Sequence, residues 1–169
     1  MPRASPAPRH PAQPAAGGFA ATEWRLLTEL PAEVMITAIA AQDGGPRRTV
    51  AEGLAGLDAI AAGRASDSDL VRAVVAAIFA EPEPDEDRQS ATDRAQVLDD
   101  CRRATDILRA SADPADAAAY RHWLQQVAVR VCHATRAGGV LGVGADQVGD
   151  AGVSSRERAF LDELAAALS

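Results

Sequence analysis

Apolar residues recur every three or four positions through most of the chain beyond residue 18. That spacing places them on one face of an α-helix, whereas a half-buried strand would alternate apolar and polar residues. The sequence therefore predicts an all-α fold of about six or seven helices and no sheet. The clearest apolar stripes, in chain order, are Leu30, Val34, Ala38 and Ala41; Leu70, Val74 and Ile78; Ala95, Leu98, Cys101, Thr105 and Leu108; and Ala117, Tyr120, Leu124, Val127, Val131 and Ala134.

Proline and small polar residues predict where the helices begin and end. Thr22 is expected to cap a short first helix, and Pro31 suits the first turn of a second helix, because a helix start leaves its first N–H groups unpaired. Asp113 followed by Pro114 predicts the start of the longest helix by the same rule. Gly63 is expected to end an earlier helix, and the polar run Ser66-Asp67-Ser68-Asp69 predicts the start of the next one.

An acidic, glycine-containing segment at 43–52 is echoed by a second one at 150–157. Each follows an Ala- and Val-rich helical run and precedes another apolar helix. In both, a Ser or Thr stands three residues before a Glu, which is the spacing of a capping box. The matching residues are Asp43, Gly44, Thr49 and Glu52 in the first segment, and Asp150, Gly152, Ser154 and Glu157 in the second. The echo predicts a fold built from two pseudo-repeated halves.

The sequence predicts one all-helical domain behind a disordered tail. Residues 1–18 are rich in Pro and Ala and show no periodicity, which is typical of a disordered segment. The domain is expected over residues 19–169. Its halves, 19–80 and 91–169, are joined by an acidic linker at 81–90, where two prolines exclude a helix interior.

Charge and composition narrow the function classes. The formal net charge is −7, and an acidic chain repels the phosphate backbone, so we expect no nucleic-acid partner. No apolar run is long enough to span a bilayer and no secretory leader is visible, so we expect a cytoplasmic protein without a membrane partner. A protein partner is expected. The sequence does not predict the oligomeric state.

One candidate metal site lies in the second repeated segment. With Asp146 as the first position of a calcium-type loop, positions one, five, nine and twelve hold oxygen-bearing side chains. The four candidate ligands are Asp146, Asp150, Ser154 and Glu157. Val148 and Ala151 break the pattern at positions three and six. We therefore expect at most a weak, irregular site for a divalent cation and no other cofactor; the alternative is that Ser154 and Glu157 only cap a helix.

No catalytic residue is predicted. Segment 138–144 is rich in glycine, but it follows a helix, whereas phosphate-binding glycine loops follow a strand. His122 and His133 are separated by about 16 Å along one helix, too far to share a metal. Cys101 and Cys132 are expected at different levels of a helical hairpin, beyond disulfide reach.

Glycines and aromatic residues suggest packing roles. Gly53 and Gly56 lie inside a helix, where each lowers helix stability, so they predict a close helix crossing. Trp24, Tyr120 and Trp123 are expected to anchor the core, with the lining of a partner groove as the alternative.

The repeated Asp-x-Gly and Ser/Thr-x-x-Glu segments resemble those of the tellurite-resistance B-type (TerB-like) helical domains. The resemblance covers about half of the chain. It departs from the family in residues 46–48 of the first loop and in the long insertion at 138–149. The resemblance implies an all-α pseudo-symmetric fold, acidic surfaces that bind metal, and a role in stress-related assemblies rather than catalysis.

Three functions remain open from the sequence. The first is a non-catalytic interaction module with an acidic face for a cationic partner or a divalent ion. The second is a metal-dependent hydrolase, with Asp146, Asp150 and Glu157 as ligands and His133 as a base. The third is an acidic antitoxin- or immunity-type protein, which would show an exposed apolar groove ringed by carboxylates.

Overall fold

The computed structural model describes residues 18–41, 46–80, 93–137 and 154–169. These ranges contain six α-helices and no strand, so the predicted all-α fold is confirmed. The predicted linker and all of the predicted tail except Gly18 lie outside the described residues. The helices are α1 (Ala21–Ala40), α2 (Pro46–Ala62), α3 (Asp69–Ala80), α4 (Arg94–Ser111), α5 (Pro114–Ala137) and α6 (Ser155–Ala167), with a 3-10 turn at Gly63–Ala65 after α2.

Helix α5 lies at the centre of the fold and packs against each of the other five helices. Its predicted stripe is buried from Ala117 to Val131, with Tyr120, Leu124, Val127 and Val131 fully inaccessible, whereas Ala134 at its end is partly exposed. Apolar residues from all six helices join it in one continuous cluster. The two predicted halves therefore share a single core. The structural similarity of one half to the other stays a prediction.

The prediction of two short helices around Pro31 is wrong, because α1 runs without interruption through this proline. Thr22 is not the cap: Ala20 precedes the helix, and its N–H donates to the Glu23 carboxylate at 2.8 Å. Pro31 has no N–H to offer the carbonyl of Leu27 one turn earlier. The hydroxyl of Tyr120, on α5, donates to that carbonyl at 2.7 Å. A buried tyrosine thus compensates for the hydrogen bond that the proline removes.

Three predicted helix starts are confirmed. The Ser68 hydroxyl accepts from the Val71 N–H, the Asp113 carboxylate accepts from the Ala115 N–H, and Ser154 begins α6. The prediction that Thr49 caps α2 is wrong, because the helix begins at Pro46, three residues earlier. Proline fits a first helical turn, so it extends the helix beyond the Thr-x-x-Glu spacing.

The predicted close crossing is confirmed at Gly56 and wrong at Gly53. A Cβ added at Gly56 would lie 2.5 Å from the Met35 side chain of α1 and 3.0 Å from Val131 of α5. A Cβ added at Gly53 would meet nothing within 4 Å. Only Gly56 is therefore required by the contact of α2 with its neighbours.

Candidate functional site

The four predicted metal ligands divide between described and undescribed residues. Asp146 and Asp150 lie outside the described residues, and so does the Gly138–Gly144 segment. Ser154 and Glu157 form the capping box: the Glu157 N–H donates to the Ser154 hydroxyl at 3.2 Å, and the Ser154 N–H donates to the Glu157 carboxylate at 2.5 Å. Glu157 is only 3% exposed. Its carboxylate and the Ser154 hydroxyl therefore serve helix α6, and the metal site stays a prediction.

Within the described ranges, no three His, Cys, Asp or Glu side chains converge in a way that could hold a metal ion. Both cysteines are buried and form no disulfide with each other, as the sequence predicts. Burial, with smaller contributions from the neighbouring Asp100 and Glu33 carboxylates, raises the pKa of the Cys101 thiol to about 12. The Cys101 thiol is thus protonated at neutral pH and is a core group rather than a nucleophile.

Two carboxylates approach each other where α1 packs on α4. Asp100 is buried and accepts hydrogen bonds from Gln96 at 2.9 Å and from Arg103 at 2.8 Å. Glu33 is half-buried, and desolvation, followed by repulsion from Asp100 and Glu29, raises its pKa above the ordinary value. Perturbed carboxylates occur at catalytic sites, but neither of these two is among the residues that line the cavity described below.

Replacing Glu33 with Gln is expected to stabilise the fold at pH 7. The folded chain binds the Glu33 proton more tightly than the unfolded chain does, so the parent loses stability as pH rises through the raised pKa. The difference in unfolding free energy between Glu33→Gln and the parent should disappear below pH about 4, where Glu33 is protonated in both the folded and the unfolded parent chain. Urea unfolding at the two pH values measures the difference. Asp106→Asn, on the exposed pair with Arg109, is the control and should show little change.

Arginines neutralise much of the acidic charge on the described surface. On α4, Asp99 pairs with Arg102, and Asp106 pairs with Arg109 at 3.6 Å, each three residues apart on the helix. Across the fold, Glu163 of α6 pairs with Arg94 at 2.9 Å. These exposed pairs contribute little to stability, but they reduce the net field of the helices that carry them. The acidic face predicted from the sequence stays a prediction.

Helix α2 carries an apolar face that the core does not cover. Val50 and Leu54 are each 63% exposed and Leu57 is 49% exposed, while Ala59 on the opposite side and Ile60 beside it are buried. The spacing of four and three residues places the exposed three on one stripe. We call Val50, Leu54, Leu57 and the adjoining, partly exposed Ala61 the α2 stripe. The exposure of the α2 stripe was not predicted from the sequence, although apolar residues on two sides of one helix indicate that the core cannot cover both.

A small cavity opens beside the starts of α3 and α5. Its volume is about 230 Å³. Phe19 and Trp24, stacked with their ring centroids 6.3 Å apart, contribute to its wall. The other lining residues are Leu70, Ala73, Ser111 and Ala112, together with the carboxylates Asp69, Asp113 and Asp116. Asp116 accepts a hydrogen bond from the Ser68 hydroxyl at 2.6 Å. The cavity is thus apolar inside and acidic at its edge.

Two of the three aromatic residues take the predicted core role, while a partner groove lined by aromatic residues stays a prediction. Tyr120 and Trp123 are buried and meet edge to face, and the Trp123 ring N–H donates to the Ala59 carbonyl at 3.3 Å. These two anchor the core. Trp24 is only partly buried and lines the cavity.

Comparison with protein-family models, with curated proteins and with solved structures found no match to this chain. The resemblance to TerB-like domains therefore stays a prediction. Among the described helices, none combines the length and apolar character needed to cross a bilayer.

Proposed function

We propose that this chain is a non-catalytic helical interaction module that binds a protein partner through the α2 stripe. The observation that carries the proposal is the exposure of Val50, Leu54 and Leu57 on one side of a helix whose other side is already buried in the core. An exposed apolar stripe of this kind is costly in water and is typical of a surface that is covered in a complex.

The energetics favour partner binding over a bare surface. Complete burial of a Val or Leu side chain contributes about 1.5–3 kcal/mol, and more than half of that area is still available at Val50 and Leu54. An amphipathic partner helix laid along the stripe would bury all three side chains, in the way grooves and helices pair in many complexes. A stress-associated role belongs to this proposal only through the TerB-like resemblance, and a divalent ion at the 146–157 loop only through the spacing of its four candidate ligands.

The acidic-edged cavity favours a second candidate, an antitoxin- or immunity-type protein that neutralises a cationic partner. Its apolar wall, with Trp24, and its edge carboxylates Asp113 and Asp116 match the groove ringed by carboxylates that this function requires. An Arg or Lys side chain would place its stem against the aromatic rings and its charge beside the carboxylates.

Site-specific photocrosslinking in the native cells tests both candidates. A photoreactive amino acid is placed at Leu54 for the α2 stripe and at Ser111 for the cavity. Asp99, whose side chain is 64% exposed on α4, is the matched control. We expect a discrete adduct from Leu54, absent from Asp99, because only the stripe is covered in the complex.

The adduct should disappear when Leu57→Asp is added to the Leu54 variant, because a charge on the stripe opposes its burial. An adduct at Ser111 alone would replace the leading proposal with the second candidate. The same adducts at Leu54 and Asp99, or none at either site, would contradict the proposed function.

A further inference from the structure

We infer that the α2 stripe pairs with the same stripe of a second copy of this chain, with the two helices antiparallel. This inference rests on the proposed function and names its partner. The stripe runs Val50, Leu54, Leu57, Ala61, with spacings of four, three and four residues. Those spacings read the same in both directions, so the stripe fits a copy of itself related by a twofold axis.

The register follows from this symmetry. With the axis between Leu54 and Leu57, each Leu54 lies against Leu57 of the partner copy, and each Val50 lies against Ala61 of the partner copy. Large residues then meet at the centre and a large residue meets a small one at each end, which is how apolar layers interdigitate. Antiparallel helices also oppose their macrodipoles favourably.

Gly53 gives independent support. It sits beside the stripe inside α2, where a glycine lowers helix stability, and a Cβ placed there would meet nothing of its own chain within 4 Å. Packing within the chain therefore gives no reason for the missing side chain. A second helix approaching closely along the stripe does give one.

Charge does not oppose the pairing. The stripe itself contains no charged residue, so it offers nothing to a partner recognised by charge. Asp58, at its edge, has Arg130 of α5 at 3.8 Å. In the antiparallel register the two Asp58 residues are offset by five residues, about 7.5 Å along the axis, whereas parallel helices would place them level.

The contact is a single pair of helices, smaller than a standard stable interface, so the dimer is expected to be weak. Sedimentation equilibrium of the full chain from about 10 μM to about 1 mM should show a reversible monomer–dimer equilibrium, with a dissociation constant in the micromolar to millimolar range. Leu54→Asp should weaken it at least about tenfold. Phe79→Asp, which makes the same kind of change at an exposed apolar residue of α3, should leave it unchanged.

Disulfide trapping tests the register. The native cysteines are buried and do not compete. A mixture of Val50→Cys and Ala61→Cys chains, one carrying a mass tag, should form the mixed disulfide under mild oxidation. Either variant alone should not, because its two copies of the cysteine would be about 16 Å apart along the axis.

Two results would overturn the inference. One is a chain that remains monomeric at about 1 mM, and the other is a Val50→Cys homodisulfide that exceeds the mixed one, which would indicate parallel helices. The proposed function is judged separately. A Leu54 photoadduct with a different protein would retain the interaction module and reject the homodimer, whereas an adduct of twice the chain mass would support both.

Discussion

Replacing Tyr120 with Phe is expected to lower the free energy of unfolding by about 1–3 kcal/mol. The substitution keeps the ring and its packing but removes the hydroxyl that donates to the Leu27 carbonyl at 2.7 Å. That carbonyl is buried and has no helical partner, because Pro31 occupies the position that would supply the N–H. The loss therefore leaves a buried acceptor unsatisfied. Urea unfolding at neutral pH measures it.

The Pro31→Ala background separates this cause from a general packing effect. Alanine restores an N–H to the helix, so the Leu27 carbonyl keeps one hydrogen bond after Tyr120→Phe. We expect Tyr120→Phe to cost at least about 0.5 kcal/mol less in the Pro31→Ala background than in the parent chain, a coupling that a double-mutant cycle resolves. Equal costs in the two backgrounds would show that the tyrosine hydroxyl does not act through the proline gap.

Alanine substitutions at Gly56 and Gly53 are expected to have opposite signs. At Gly56 the new methyl group would lie 2.5 Å from Cγ and Sδ of Met35 and 3.0 Å from Val131, so the Met35 side chain must leave its packed position. Overpacking of this kind costs about 1–3 kcal/mol, which exceeds the gain of about 1 kcal/mol in helix propensity. At Gly53 no neighbour opposes the change, so the propensity gain remains.

Thermal unfolding of the two variants, at low protein concentration where the chain is monomeric, checks this prediction. Gly56→Ala should melt below the parent, and Gly53→Ala should melt above it, since the stabilisation of about 1 kcal/mol shifts the midpoint by a few degrees. A higher melting temperature for both variants would mean that α2 accommodates the added methyl group and that the crossing is not as close as described.

The sequence predicted the helices well where local spacing determines them. The α5 stripe from Tyr120 to Val131 is buried as expected, since a helical period specifies which residues share a face. Asp113 and Ser154 begin helices because capping is a local effect, decided within one turn. Fold class and most helix positions could therefore be predicted from single segments.

The failures come from contacts between distant segments. Pro31 interrupts no helix because Tyr120, 93 residues away from Leu27, satisfies the carbonyl that the proline leaves unpaired. The period also specifies only that residues share a face, not whether the core covers it. In α2, Ile60 faces inward while Val50 and Leu54 face outward, and only the placement of α1 and α5 decides between them.

The central position of α5 bears on how the chain acquires its structure during synthesis. The ribosome releases α1, α2 and α3 first, and all three bury apolar residues against α5. Until residue 137 has emerged from the exit tunnel, the nascent chain lacks the element that covers them. The chain should thus fold late, after most of it has been made, and its early helices are the ones that a chaperone would shield in the meantime.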